Sequence, residues 1–97
     1  MSLIAEIEDE LEVAMKERDA PRRDTLRLIL ANLRSAEKEL QRELNEQEEL
    51  QVLQRERKKR IEAAEAFRAA GNEERAEAEE DELDVIEEFM PEPLSEE

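Results

Sequence analysis

The chain has 97 residues, of which 46% are charged and 2% aromatic, and its formal net charge is -15. This length allows one small domain. The chain contains neither His nor Cys, which excludes a disulfide scaffold, a Cys/His zinc site and a Ser-His-Asp or Cys-His catalytic centre within it. No apolar run approaches the ~20 residues that span a bilayer, and the first residues lack a signal-peptide pattern, so we expect a cytoplasmic protein without membrane contact.

The arrangement of the apolar residues distinguishes a folded chain from a disordered one. High charge with few aromatic residues is also typical of disorder. Here, however, Leu, Ile and Ala recur at helical spacing, and the turn residues, one Gly and three Pro, fall between the periodic stretches. We therefore predict an all-α fold.

Two helices are predicted in the first half of the chain. The first runs from Ser2, which can cap its first amides, to about Arg18. Its apolar face is formed by Ile4, Ile7, Leu11 and Met15. The second runs from about Pro21 to Leu44 with Asp19 as its N-cap, because proline is tolerated in a first helical turn and not later. Its stripe consists of Leu26, Ile29, Leu30, Leu33, Leu40 and Leu44.

A third helix is predicted after Asn45. Glu48 follows at capping-box spacing, with Asn in place of the usual Ser or Thr. The helix ends at Gly71, because a left-handed position after a helix suits glycine best. Its apolar stripe is interrupted at Arg57 and consists of Leu50, Leu53, Ile61, Ala64 and Phe67.

A fourth helix is predicted after the N-cap Asn72. It ends at Met90, because a residue before proline disfavours helical angles and Pro91 follows. Its apolar positions are Ala76, Leu83, Ile86 and Phe89 or Met90. We expect residues 1–90 to form the helical domain, and residues 91–97 to form a stiff connector toward a second half that this sequence does not contain.

The apolar stripes determine the expected architecture, because one helix cannot bury its own apolar face. Short connections favour antiparallel neighbours, so we predict a bundle of about four helices with helices two and three as a long central hairpin. A core of mainly Leu, Ile and Ala is thin, and small single cores rarely supply more than ~3–5 kcal/mol. A homo-oligomer, or a missing second half of the protein, would supply the remaining burial. A coiled coil is the structural alternative, but the frequent breaks disfavour one long rod.

Charge is segregated along the chain. Residues 1–19 contain two basic and seven acidic side chains, residues 20–70 twelve and ten, and residues 71–97 one and thirteen. Two basic clusters in the middle segment suggest contact with an anion or with RNA phosphate. The candidate contact residues are Arg22, Arg23, Arg27, Arg34, Lys58, Lys59 and Arg60. The alternative is structural: these bases pair with nearby Glu or with the acidic helices one and four. The lack of aromatic residues for base stacking, together with the net charge, weighs against nucleic acid.

The runs of acidic residues give no specific signal for a metal or a cofactor. Glu79-Glu80-Asp81-Glu82 could attract a divalent cation, but adjacent helical residues point in different directions and no glycine-containing calcium loop is present. A solvated helix face explains them better. Gly71 is the only glycine, so a glycine-rich phosphate loop is excluded. We therefore predict no catalytic residues, no metal ligands and no cofactor.

Three segments carry a pattern that extends from about residue 3 to residue 95. They are Arg22-Arg23 through Leu26-Arg27-Leu28 with Ala31; Lys58-Lys59-Arg60-Ile61-Glu62 followed by Phe67 and Ala69-Ala70-Gly71; and Glu79 to Leu83, Ile86 and Phe89-Met90-Pro91 followed by Leu94-Ser95. In order and spacing they resemble the GatB/YqeY-like family. The chain departs from the family pattern at Asn72, where a basic residue is common, and at Arg75, where an aliphatic residue is usual.

The resemblance implies a small helical protein with two halves, of which this chain looks like the N-terminal one. The family is similar to the tail of the B subunit of the tRNA-dependent amidotransferase, which converts misacylated Glu-tRNA or Asp-tRNA to the amide. It implies an association with carbon-nitrogen ligase chemistry that uses glutamine as amide donor, and tRNA or an amidotransferase or synthetase protein as partner. In that enzyme the tail is associated with tRNA recognition rather than with the chemical step, so we expect the chain by itself to be non-catalytic.

Two other functions remain open from the residues themselves. One is a helical protein-interaction or oligomerisation module with no RNA role, which the thin core favours. The other is an enzyme in its own right, which would have to use Glu, Asp, Lys, Arg or Ser and would need a formed pocket.

Overall fold

The computed structural model describes residues 2–91, which form four α-helices. The helices are α1 (Leu3–Lys16), α2 (Ala20–Leu40), α3 (Glu46–Ala69) and α4 (Glu73–Glu88). Residues 2–91 contain no strand, so the predicted all-α bundle of four helices is confirmed. None of the helices formed by these residues is both long and apolar enough to cross a membrane. Apart from Pro91, the expected connector over residues 91–97 lies outside the described residues.

The predicted caps are confirmed at the starts of all four helices. In each, a side-chain oxygen accepts a hydrogen bond from the backbone N–H three residues later, at 2.8–3.2 Å. The capping residues are Ser2, Asp19, Asn45 and Asn72. Glu48 returns a bond to the Asn45 N–H and completes the capping box. Gly71, with φ of 80°, has the left-handed conformation predicted for it.

The helix ends come earlier than predicted, most clearly in α2. This helix ends at Leu40, four residues before the predicted end, because Gln41 adopts a left-handed φ of 60° and turns the chain. The guanidinium of Arg42 then donates to both carboxylate oxygens of Glu48, at 2.8 and 2.7 Å. These bonds lower the pKa of Glu48 to about 2. The turn between α2 and α3 is thus held by a bidentate ion pair.

The core lies where the four apolar stripes meet. Its buried apolar residues are Ile7, Ala14, Leu26, Ile29, Leu30, Leu33, Val52, Leu53, Ala64, Ala76 and Ile86. Two residues predicted for these stripes are exposed instead, Met15 by 50% and Leu40 by 46%. Both stand in the final turn of their helix.

The helices pack mainly as two hairpins, and α2 connects one to the other. α1 packs on α2 and α3 packs on α4, and α2 also contacts both α3 and α4. The predicted central hairpin of α2 and α3 is present, but its contact is smaller than that of the α1–α2 or α3–α4 pair. The α3–α4 contact is extensive partly because ion pairs between the two helices supplement their few apolar residues.

The polar break in the apolar stripe of α3 falls at Glu56 and Arg60 rather than at Arg57. Glu56 and Arg60 are buried, with 4% and 8% exposure, and are joined at 3.0 Å. Arg60 also donates to Glu82 of α4 at 2.9 Å, with Glu79 at 3.9 Å. Arg57 lies on the surface instead and pairs with Glu87 at 2.9 Å. Removing one partner of a buried pair leaves an uncompensated charge, so this cluster is energetically sensitive.

We predict that Arg60→Ala lowers the free energy of unfolding by about 3–5 kcal/mol, because Glu56 stays buried and loses its buried partner, retaining the exposed Lys59 at 3.3 Å. The matched change Arg57→Ala, in the same helix but at an exposed pair, should cost no more than about 1 kcal/mol. Urea denaturation followed by circular dichroism measures both. The double variant Glu56→Leu with Arg60→Met should be more stable than Arg60→Ala, because it removes both charges. Equal losses for Arg60→Ala and Arg57→Ala would contradict this account.

Candidate anion-binding site

Two of the four candidate arginines on α2 connect helices. Arg22 donates to Glu88 of α4 at 2.7 and 2.9 Å and to Glu10 of α1 at 3.2 Å. The hydrogen bond to Glu88 is the largest of the effects that raise the pKa of Arg22, and burial opposes it. Arg34 pairs with Glu8 of α1. Both guanidiniums are therefore committed to carboxylates of neighbouring helices.

The other two candidate arginines on α2, Arg23 and Arg27, line a small cavity of about 220 Å³ at the turn between α1 and α2. Arg18 lines the same cavity, which we call the basic pocket; its full lining is Ala14, Met15, Arg18, Asp19, Ala20, Arg23 and Arg27. Arg23 pairs with Asp24 at 2.9 Å on the surface. A terminal nitrogen of Arg27 lies 3.9 Å from the sulfur of Met15. Three guanidinium side chains thus border one depression.

The turn residue Arg18 was not among the predicted candidates. It follows the last turn of α1 with a left-handed φ of 58°, and α1 ends at Lys16 rather than at Arg18. The bond from the Asp19 N–H to the Ala14 carbonyl, at 2.9 Å, closes this turn. Sequence spacing alone placed Arg18 inside a helix, so its position beside α2 could not be read from helical periodicity.

The three candidates on α3 lie in different environments. Arg60 is buried in the α3–α4 ion cluster described above. Lys59 is 62% exposed at its side chain and lies 3.3 Å from Glu56, and Lys58 is exposed. Lys59 and Arg55 line a second depression, of about 160 Å³, between α2 and α3. The structure therefore brings Arg23 and Arg27 together with Arg18, whereas Lys58, Lys59 and Arg60 belong to other parts of the surface and core.

The basic pocket carries side-chain donors of the kind that bind oxyanions. Guanidinium groups present planar pairs of N–H donors that match phosphate or carboxylate oxygens. One carboxylate, that of Asp19, also lines the pocket, but it accepts the Arg22 N–H as the cap of α2. Within residues 2–91, no group of three or more acidic side chains is arranged to hold a metal ion.

The family model described as Yqey-like protein matches residues 4–97. The chain belongs to the YqeY-like family. No curated protein sequence matches it.

A further depression in this YqeY-like chain is lined by acidic rather than basic side chains. It has a volume of about 480 Å³ and lies between the starts of α1 and α3 and the end of α4. We call it the acidic groove; its apolar lining is Leu3, Leu50, Leu53, Phe89 and Pro91, and its polar lining is Glu6, Glu46, Gln47 and Glu49. No basic side chain lines the groove among the described residues.

The pKa of Glu49 is raised at this groove. Burial raises its pKa, and the carboxylates of Glu46, Glu37 and Glu6 raise it further, while a hydrogen bond from the Leu3 N–H opposes them. A raised pKa in the folded state means that ionised Glu49 destabilises the fold. This penalty is complete above the raised pKa and disappears as the pH falls toward the ordinary value of about 4.5.

We predict that Glu49→Gln raises the melting temperature at pH 7 by roughly 2 °C, because it removes a partly buried charge among like charges. The difference from the unmodified chain should close as the pH falls toward about 4, where Glu49 becomes protonated. Thermal unfolding at several pH values measures it. Glu62→Gln, on the exposed face of α3, removes the same charge and should show no comparable difference at pH 7. A gain for Glu49→Gln that persists unchanged at low pH would exclude the titration of Glu49 as its cause.

Proposed function

We propose that this YqeY-like protein is a non-catalytic helical module that contacts the phosphate backbone of tRNA through the basic pocket. The association with tRNA, and with amidation that uses glutamine as amide donor, comes from the family resemblance of the sequence. A protein partner in that setting would be an amidotransferase subunit or a synthetase. The observation that carries the proposal is the convergence of Arg18, Arg23 and Arg27 on one cavity.

The pairing pattern of the arginines supports this choice of surface. Arg22, Arg34 and Arg60 bind carboxylates of other helices, so their charges are already compensated within the fold. Among the described residues, Arg23 pairs only with its neighbour Asp24 at the surface, where an ion pair is weak and a phosphate can compete for the guanidinium. The basic pocket therefore offers donors that can be redirected to a ligand.

The net charge of -15 sets the salt range in which such binding is observable. Repulsion between a polyanion and distant carboxylates is screened beyond about 10 Å at 0.1 M salt. Contacts between guanidinium and phosphate act at hydrogen-bond distance and are screened less. Contact with two or three phosphates predicts that log K falls against log salt with a slope of about -2 to -3.

We predict that the double variant Arg23→Gln with Arg27→Gln binds tRNA at least about tenfold more weakly and reduces the magnitude of the salt slope by about 2. The matched control Arg57→Gln with Arg75→Gln removes the same charge from α3 and α4 and should change affinity by no more than about twofold. Fluorescence anisotropy of labelled tRNA between about 50 and 200 mM salt measures both quantities.

Two results would refute this proposal. One is equal weakening by the two double variants, which would mean that only net charge matters. The other is an absence of tRNA binding at about 50 mM salt, both for this chain and for a longer chain that carries a C-terminal half.

A further inference from the structure

The acidic groove, which the tRNA proposal does not use, combines an apolar floor with a charged rim. Leu50 and Phe89 are only half-buried there, and Pro91 is exposed. The volume of about 480 Å³ falls within the range typical of binding pockets. An apolar floor between helix ends is the kind of surface on which an amphipathic helix lays its apolar face.

The rim of the groove determines the charge of its occupant. Glu6, Glu46 and Glu49 line the groove together, and Glu37 is close enough to affect Glu49. Lysine or arginine side chains would relieve the mutual repulsion of these carboxylates, whereas acidic groups would increase it. Residues 92–97 of this chain contain three Glu and no Lys or Arg, so their charge does not complement the rim.

The end of α4 adds a further negative contribution. This helix has no basic residue in its last turn, and its C-cap Phe89 lies in the groove. The carbonyl groups at a helix C-terminus carry partial negative charge, which a nearby cation stabilises. The other three helices each have a lysine or arginine in their last turn. A basic side chain of a partner would supply the positive charge that the last turn of α4 lacks.

We propose that the acidic groove docks a basic amphipathic helix of a partner protein. Its apolar stripe covers Leu50 and Phe89, and its flanking Lys or Arg side chains meet Glu46 and Glu49. This interaction is independent of the proposed tRNA contact. Leu3 in the groove and Met15 in the basic pocket are twelve residues apart on α1, or about 18 Å at 1.5 Å per residue. Both surfaces can therefore be occupied at once.

A synthetic peptide provides the probe for this proposal. It has about 15 residues, with Leu at helical positions i, i+3, i+4 and i+7 and Lys at the others. Fluorescence anisotropy with the full chain should show saturable binding that weakens with salt.

Glu46→Gln with Glu49→Gln should weaken the binding of this peptide about tenfold, and Leu50→Lys at least as much. The control Glu62→Gln with Glu65→Gln, on the exposed face of α3, should change affinity by no more than about twofold. Circular dichroism verifies that each variant is folded.

Further experiments distinguish this interaction from its alternatives. Arg23→Gln with Arg27→Gln should leave peptide binding intact, so the two proposals can fail separately. Equal binding of a scrambled peptide with the same composition but no apolar face would overturn the proposal. So would equal weakening by the two double Glu variants. Peptide binding that appears only after removal of residues 92–97 would assign the groove to the chain's own terminus. If the chain sediments as a dimer that Leu50→Lys dissociates, the groove would be assigned to a second copy of the chain. Either of these two results would exclude a partner helix as the occupant of the groove.

Discussion

Arginines that bind carboxylates of neighbouring helices connect all four helices of this bundle. Arg22 joins α2 to both α1 and α4, and Arg60 joins α3 to α4 from a buried position. Arg68 connects the end of α3 with the start and middle of α4 through Glu73 and Glu80, and lowers the pKa of both carboxyls. The most exposed of these pairs contribute little by themselves. The Glu56–Arg60 pair differs, because both residues are buried and removal of either charge leaves the other inadequately compensated.

The same pairing decides which basic residues remain for function. A chain with 30 acidic and 15 basic side chains has carboxylates available for almost every arginine. Guanidiniums that face another helix are therefore used within the fold, as Arg22 and Arg34 are. Near the α1–α2 turn, Arg23 and Arg27 border a cavity together with Arg18, and the described residues that line it belong to α1, α2 and the turn between them. Charge compensation thus leaves a local basic surface on an acidic protein.

Local signals in the sequence were sufficient to predict the four helices and their caps. Each cap depends on residues three positions apart, so Asn45 and Glu48 reveal their interaction without any knowledge of the tertiary structure. Burial was less predictable, because it depends on where a second helix ends. Met15 continues the apolar spacing of α1 and is nevertheless half exposed, whereas its neighbour Ala14 is fully buried.

The candidate site was predictable only in part for the same reason. Arg22 and its partner Glu88 are 66 positions apart, and no periodicity relates them. Arg23 and Arg22 are adjacent and of the same type, yet one binds across helices and the other borders the pocket. Arg22 and Arg23 differ in their contacts because of how α2 packs against α1 and α4. The sequence located the basic surface near the start of α2, but not its exact members.

Helix polarity gives the two charged surfaces a common physical origin. The basic pocket lies at the C-terminal end of α1, where cations such as Lys16 are favoured by the helix dipole. The acidic groove lies at the starts of α1 and α3, where Glu6 and Glu46 are favoured for the opposite reason, whereas burial among like charges outweighs this effect at Glu49. The end of α4 is the exception, because it brings a second negative end into a groove that is already acidic. Charges that stabilise individual helices thus accumulate at opposite ends of α1, and at the groove they exceed what the chain's own bases compensate. An uncompensated charge beside an apolar floor is the physical basis for assigning that end of the molecule to a partner.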